Sequence, residues 1–278
     1  MSSALAYPAQ FLREVSRTRY FATLFLPAEH RDAITALYAF SADVAAIRDR
    51  AREPAAGEIR LQWWVDALAG EGHGAVRQNP LAAALLDAIS THSLPAGPLR
   101  RLLAARRFDL YQDPMPDLDT FEGYAGETVS VLYQLAAMIL NGSEVANGDA
   151  AGHLGVADAL IGHLRALGHN AARGRIFLPM ALFAANGVTE AELLSGTESE
   201  GLFAARDQIA DLAADHLNKA ERAIRALPRA LRPAFVTLPV LRAELARVQG
   251  APTPFSAPAP LSDFGQLARM GAWGLFGR

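Results

Sequence analysis

The sequence predicts an all-α fold, and three observations carry the prediction. Apolar residues make up 51% of a 278-residue chain rich in Ala and Leu. They recur at spacings of three and four over long stretches, the period of a helix face. Val, Ile and Thr rarely alternate with polar residues at period two, as a half-buried strand requires.

The first predicted helix covers 28–50. Pro27 precedes it where proline is tolerated at a helix start, and Ile34, Leu37, Tyr38, Ala42, Ala45 and Asp49 fall along one broad face. Pro54 marks a turn. Further helices are predicted over 57–70, 78–91, 95–109, 117–140, 149–168, 199–226 and 229–248, divided by Pro, Gly or Asn. In the second of these, over 57–70, a single core can receive only one of the adjacent Trp63 and Trp64. Asp109, Asp113, Asp117 and Asp119 surround Pro114 and Pro116 and read as turn aspartates capping the next helix. The longest uncharged stretch, 128–143, carries Ser130, Tyr133, Gln134 and Asn141 and falls short of the ~20 apolar residues of a bilayer span. It is expected as a buried helix.

Residues 1–250 lack a long linker and read as one domain. Pro252, Pro254, Pro258 and Pro260 make an extended connection, and Leu261, Phe264, Leu267, Met270, Trp273 and Phe276 then recur every three residues. Residues 251–278 are therefore a connection plus an amphipathic tail with three possible destinations: the protein itself, a partner, or a membrane surface.

Composition excludes several functions. A formal net charge of -3 gives no electrostatic footprint for nucleic acid, and the absence of cysteine removes disulfides, zinc thiolates and thiol nucleophiles. His153, His163 and His169, spaced by ten and six, do not make an i, i+4 metal pair. No nucleophile elbow, phosphate-binding loop or dinucleotide fingerprint is present. Met1 to Gln10 lacks the basic and apolar regions of a secretory signal, so a cytoplasmic location is expected.

Three stretches carry a family resemblance: FLPAEHRDAITALYAFSADVAAIRD at 25–49, IRLQWWVDAL at 59–68 and LRALGHNAARGRIFLP at 164–179. In order and spacing they are similar to the squalene and phytoene synthases, loosely from Ser16 to Leu245. The resemblance implies a single-domain helical bundle of the isoprenoid synthase type around a central cavity. It also implies two aspartate-rich motifs facing each other, whose carboxylates would hold magnesium ions against the diphosphate leaving group.

In this sequence the first motif's aspartates map onto Ala45 and Asp49, and the second's onto Ala166 and Asn170, with His169 in place of a glutamate. Ala159 and Gly162 stand where the family has polar residues one or two turns earlier. Tyr38, Ala42, Ala45, Ala159, Gly162 and Ala166 then describe a cavity lining of low charge. Ser16 and Arg17, with Asp49, Asn170, Arg173 and Arg175, remain as a degenerate diphosphate site, because arginine recognises phosphate without metal. A helix-end role for Arg173 and Arg175 stands beside that function.

The same loss of aspartates marks a branch of the family that includes a mitochondrial assembly factor for respiratory complex I. Similarity to that branch implies a non-catalytic protein with no catalytic or metal-ligating residues and no cofactor. Its partners would be respiratory complex subunits or assembly factors, and its place the cytoplasm or the periphery of the inner membrane, reached through the tail. Two alternatives stay open. One is a magnesium-dependent prenyl transferase whose ions rest on Asp43, Asp49, Glu127 or Asp158. The other is a carrier of an isoprenoid or lipid.

Overall fold

The computed structural model describes residues 3–72 and 75–276, without the side chains of residues 3–5 and of Phe276, the last member of the predicted apolar stripe. Sixteen α-helices occur, with no strand among the described residues. They are α1 (Ser3–Val15), α2 (Arg17–Thr23), α3 (Ala28–Ala45), α4 (Ile47–Arg50), α5 (Pro54–Ala69), α6 (Pro80–His92), α7 (Ala96–Ala105) and α8 (Leu118–Ala125). Then follow α9 (Val131–Asn141), α10 (Gly148–Arg165), α11 (Leu167–Ala171), α12 (Met180–Ala185), α13 (Glu190–Ser195), α14 (Glu200–Ala226), α15 (Leu238–Gln249) and α16 (Asp263–Phe276).

Local chemistry sets many of the ends. The Asn79 side chain accepts from the Leu81 and Ala82 amides at the start of α6, and Ser199 caps α14 in the same way. Thr189 and Glu192 form a reciprocal capping box on α13. Asp117 caps α8 as the sequence predicts, but Asp109 belongs to a buried ion pair instead.

Four predicted helices are interrupted, among them that over 229–248, which runs as a 3-10 stretch over Arg229–Phe235 before α15 begins at Leu238. The span over 28–50 breaks at Ala46, and that over 149–168 breaks at Ala166 and resumes as α11. The first break adjoins Ala45 and the second falls at Ala166, two of the positions onto which the resemblance maps the aspartate motifs. The span over 117–140 contains a π-helical turn at Gly126–Ser130 between α8 and α9. The sequence prediction misses α1, because Pro8 lies inside it and reads as a helix breaker. It also misses the short α2, α12 and α13.

The core is built on α10, whose most extensive contact is with the 27-residue α14. Ala151, Leu154, Ala157 and Leu160 meet Ala205, Ile209, Ala213 and Leu217, all fully buried. Small residues on both helices let the backbones approach closely while the leucines fill the gaps. The stretch at 128–143 is the buried helix expected, with Leu132, Tyr133, Leu135 and Ile139 inside. Of the tryptophans, Trp64 is buried against Phe40 at 4.8 Å, while Trp63 lies edge-on to it at the boundary.

The tail docks on the protein itself. Leu261 and Met270 are buried with Phe21, Val236 and Val240 in a second apolar cluster, and Arg17 pairs with Asp263 at 2.5 Å. Thr18 donates to Gln266 at 2.7 Å. Phe264 and Leu275 stay on the outer face, 81% and 76% exposed.

The π-helical turn sits against α10 at Gly155, where a Cβ would stand 2.5 Å from both the Cα and the amide nitrogen of Ser130. Backbone cannot yield as a flexible side chain does. Gly155→Ala is expected to destabilise the fold by about 1–3 kcal/mol, read as a lower urea midpoint with an unchanged slope.

Candidate functional site

A cavity of about 330 Å³ opens between α2, α3, α4, α9 and the π-helical turn. Ala42, Ala45 and Ala46 from the α3 break form one wall and Val129 and Leu132 another, with Ser16 and Asp49 at the edge. Arg19, Arg48 and Arg106 add three cations to the lining, and Val15, Ser41 and Thr128 complete it.

Each arginine is held by its own set of partners. Arg19 donates to Asp158 at 2.9 Å and lies over the rings of Tyr38 and Tyr133 at 5.1 and 5.4 Å. Burial works against its charge, but Tyr133 and Asp158 outweigh it and raise its pKa. Arg106 donates to Asp109 and to the Tyr124 hydroxyl at 2.9 and 2.8 Å, and Tyr124 donates to Asp109 at 2.6 Å. There too burial opposes the charge, and Tyr124 and Asp109 raise the arginine pKa. Arg48 stacks over Phe177 at 4.7 Å and reaches Asp49 only at 3.6 Å.

The phenols respond in turn. Burial pushes Tyr38 up to about 12, with Arg19 acting in the opposite direction, and raises Tyr124 and Tyr133 as well. All three are neutral at ordinary pH, and Tyr124 and Tyr133 donate to Asp109 and Asp158.

The residues predicted for the site separate. Ser16, Ala42, Ala45 and Asp49 line this cavity, and Tyr38 lies beneath Arg19. Arg17 does not join them. It is exposed and bound to the tail, because Arg17 and Arg19 are two residues apart and point to opposite sides of α2. Asn170 is buried, and its carbonyl accepts from the Arg173 and Arg175 amides, closing α11. Arg173 is exposed, 2.8 Å from His169 Nδ1. Arg175 reaches Asp49 at 3.5 Å and donates to the Arg48 carbonyl at 3.2 Å. Ala159 is buried, Ala166 is half-buried at the break, and Gly162 is exposed beside open space.

Arg19, Arg48 and Arg106 are the site residues that the sequence prediction misses. An arginine three residues after Ser16, or in ARRFD at 105–109, looks like any surface cation. The partner that identifies Arg19, Asp158, is 139 positions away. Likewise His153 Nδ1 lies 3.1 Å from His216 Nδ1 on α14, a pair invisible in the local spacing.

A bound magnesium ion requires several converging carboxylate oxygens. Among the described residues no group of three or more His, Asp or Glu side chains comes together for a metal. Each carboxylate considered for that task is held by an arginine elsewhere. Asp43 pairs with Arg50 at 2.9 Å and accepts from Trp64, Asp49 lies between Arg48 and Arg175, Glu127 pairs with Arg101 at 3.0 Å, and Asp158 pairs with Arg19. The residues present do not fit the metal.

Comparison with known proteins places this architecture. The family model for squalene/phytoene synthase matches residues 12–265. The NADH dehydrogenase (ubiquinone) complex I, assembly factor 6 of Bos taurus is 29% identical over 246 residues, covering 87% of this chain and 73% of its own length. The 15-cis-phytoene synthase of Synechocystis is 28% identical over 236 residues, covering 80% of this chain and 69% of its own. Among solved structures, squalene synthase HpnC from Alicyclobacillus acidocaldarius superposes with a TM-score of 0.76 at 20% identity, covering 93% of this chain and 95% of that one. At that identity the superposition speaks for the fold alone.

One titration follows from the cationic lining. Burial first, then Arg48 and Arg106, hold the His163 pKa at about 3, against 6.5 for the free side chain. As pH falls below 6.5 the unfolded chain takes up a proton that the folded one refuses, so stability declines until about pH 3. Between pH 6.5 and 5 the loss from this group is expected to be on the order of 1 kcal/mol. Urea denaturation of His163→Gln at both pH values should show a correspondingly flatter dependence.

Proposed function

The chain belongs to the squalene/phytoene synthase family, and from that premise we propose that it is a non-catalytic member that helps assemble or stabilise a membrane respiratory complex of the complex I type. One observation carries the proposal. Asp43, Asp49, Glu127 and Asp158, the carboxylates weighed as substitute metal ligands, are each engaged by an arginine, and the cavity lining itself carries three guanidinium groups, Arg19, Arg48 and Arg106. Guanidinium groups repel a divalent cation as strongly as carboxylates attract one.

Size supports the same reading. About 330 Å³ lies at the low end of ligand pockets, roughly 300–1,000 Å³. A condensing synthase must lodge two long prenyl chains side by side. The likeness to the bovine assembly factor over 87% of the chain supports the respiratory assignment. No helix among the described residues is long and apolar enough to cross a membrane. Contact with a membrane complex would then be peripheral, and the exposed Phe264 and Leu275 of α16 offer an apolar face for it.

Two measurements test the proposal. The purified protein with magnesium should release no diphosphate from farnesyl or geranylgeranyl diphosphate above background. Deleting the gene should lower the amount of assembled NADH dehydrogenase complex on native gels. Wild-type levels of the complex in the deletion strain would sink the assembly role, and robust magnesium-dependent release would sink the non-catalytic one.

A further inference from the structure

We propose that a second cavity, on the other side of the π-helical turn, holds a divalent transition-metal ion of the zinc class on the Nδ1 atoms of His153 in α10 and His216 in α14. This cavity, of about 570 Å³, lies between α7, α8, α9, α10, α14 and the turn, and it shares no lining residue with the central cavity. Thr128 and Val129 line the central cavity, whereas Gly126, Glu127 and Ser130 line this one. The inference is independent of the assembly role.

Geometry is the first support. His153 Nδ1 stands 3.1 Å from His216 Nδ1, with the ring centroids 5.1 Å apart and the planes at 65°. Two nitrogens held at about 2.0–2.1 Å by one zinc ion, at a tetrahedral angle, stand roughly 3.3–3.4 Å apart, so the pair has to open by only about 0.2–0.3 Å. Ligands placed that closely need rigid supports, and α10 and α14 form the most extensive helix contact of the fold.

The protonation state of His216 is the second. The ring is buried, and burial, joined by His153 and Lys219, lowers its pKa against the opposite pull of Glu122 and Asp215. It is therefore neutral at ordinary pH. Its Nε2 faces the Glu122 carboxylate of α8 at 3.4 Å, which keeps the single ring proton on that atom and leaves Nδ1 as a bare lone pair. A carboxylate behind the far nitrogen is the usual support of a metal-bound histidine.

Room and charge are the third. Gly123, Gly126, Gly148 and Gly152 line the cavity, and a Cβ at any of them would meet nothing within 4 Å, so space for an ion and its waters is open beside the rings. Glu122, Glu127 and Asp149 line it against Arg101 alone, and Arg101 is taken by Glu127 at 3.0 Å. The charge is thus opposite to that of the central cavity and attracts a cation. Among the described residues no third His, Asp or Glu already stands with the pair as a ligand. Asp149, one turn before His153 on the same face of α10, and water complete the coordination.

Isothermal titration of the full chain with zinc chloride, in a buffer that does not chelate, tests the site. One ion bound per chain is expected, and excess magnesium, which prefers oxygen ligands, should not displace it. His153→Gln and His216→Gln should each weaken zinc binding at least tenfold, and Glu122→Gln, which removes only the support behind His216, by roughly tenfold. Zinc should also raise the urea midpoint of the unaltered chain, because it binds the folded form, and should leave that of His153→Gln in place. Urea midpoints without zinc confirm that each variant is folded, and the half-buried His153 carries the test should loss of the buried His216 prevent folding. His92→Gln, from the other histidine pair, whose ring lies 5.7 Å from that of His30, should bind as the unaltered protein does. No zinc binding, full binding by folded His153→Gln, or loss of binding in His92→Gln overturns the site and leaves the assembly reading standing.

Discussion

A guanidinium group taken out of water costs several kcal/mol unless its charge and its donors find partners. Beside the central cavity this fold takes two largely out of water, Arg19 and Arg106, with side chains 17% and 12% exposed, and the surrounding structure is arranged to hold them. Asp158 of α10 and Tyr133 of α9 meet at Arg19 of α2, which ties three helices distant in sequence to one charge. Asp109 and Tyr124 do the same for Arg106 where the chain leaves α7 and enters α8. Removing either carboxylate would strand a buried cation, so the arrangement fixes the register of these helices as well as the character of the cavity.

The two helix breaks follow from the same region. In α3 and α10 the chain turns at Ala46 and Ala166, and each break is followed by a short helix, α4 or α11. Arg175, just beyond α11, reaches Asp49 in α4 and the Arg48 carbonyl, so the two interrupted segments close on each other through one side chain.

The tail changes what the remaining basic residues can do. Gln266 accepts from Thr18 and donates to the Leu261 carbonyl, and the Leu261 amide donates to Glu244, which pairs with Arg165. This chain of contacts seats α16 on α2 and α15, and Arg17 is drawn to Asp263 and away from the cavity. A residue placed by resemblance at the anion site thus serves as an anchor, while its neighbour on the opposite side of α2 takes the inward position.

The sequence by itself determined the helical class, the approximate course of the longer helices, and the residues at positions 45, 166 and 170, none of which is a carboxylate. Those features depend on local period, caps and residue identity, which neighbours in the chain express. Only the tertiary structure decided that Arg19, Arg48 and Arg106 face that opening, that Arg17 does not, and that His153 meets His216. An arginine's role depends on the charges and rings packed around it, and those partners come from helices up to 139 positions away. No spacing rule within one helix can carry that information.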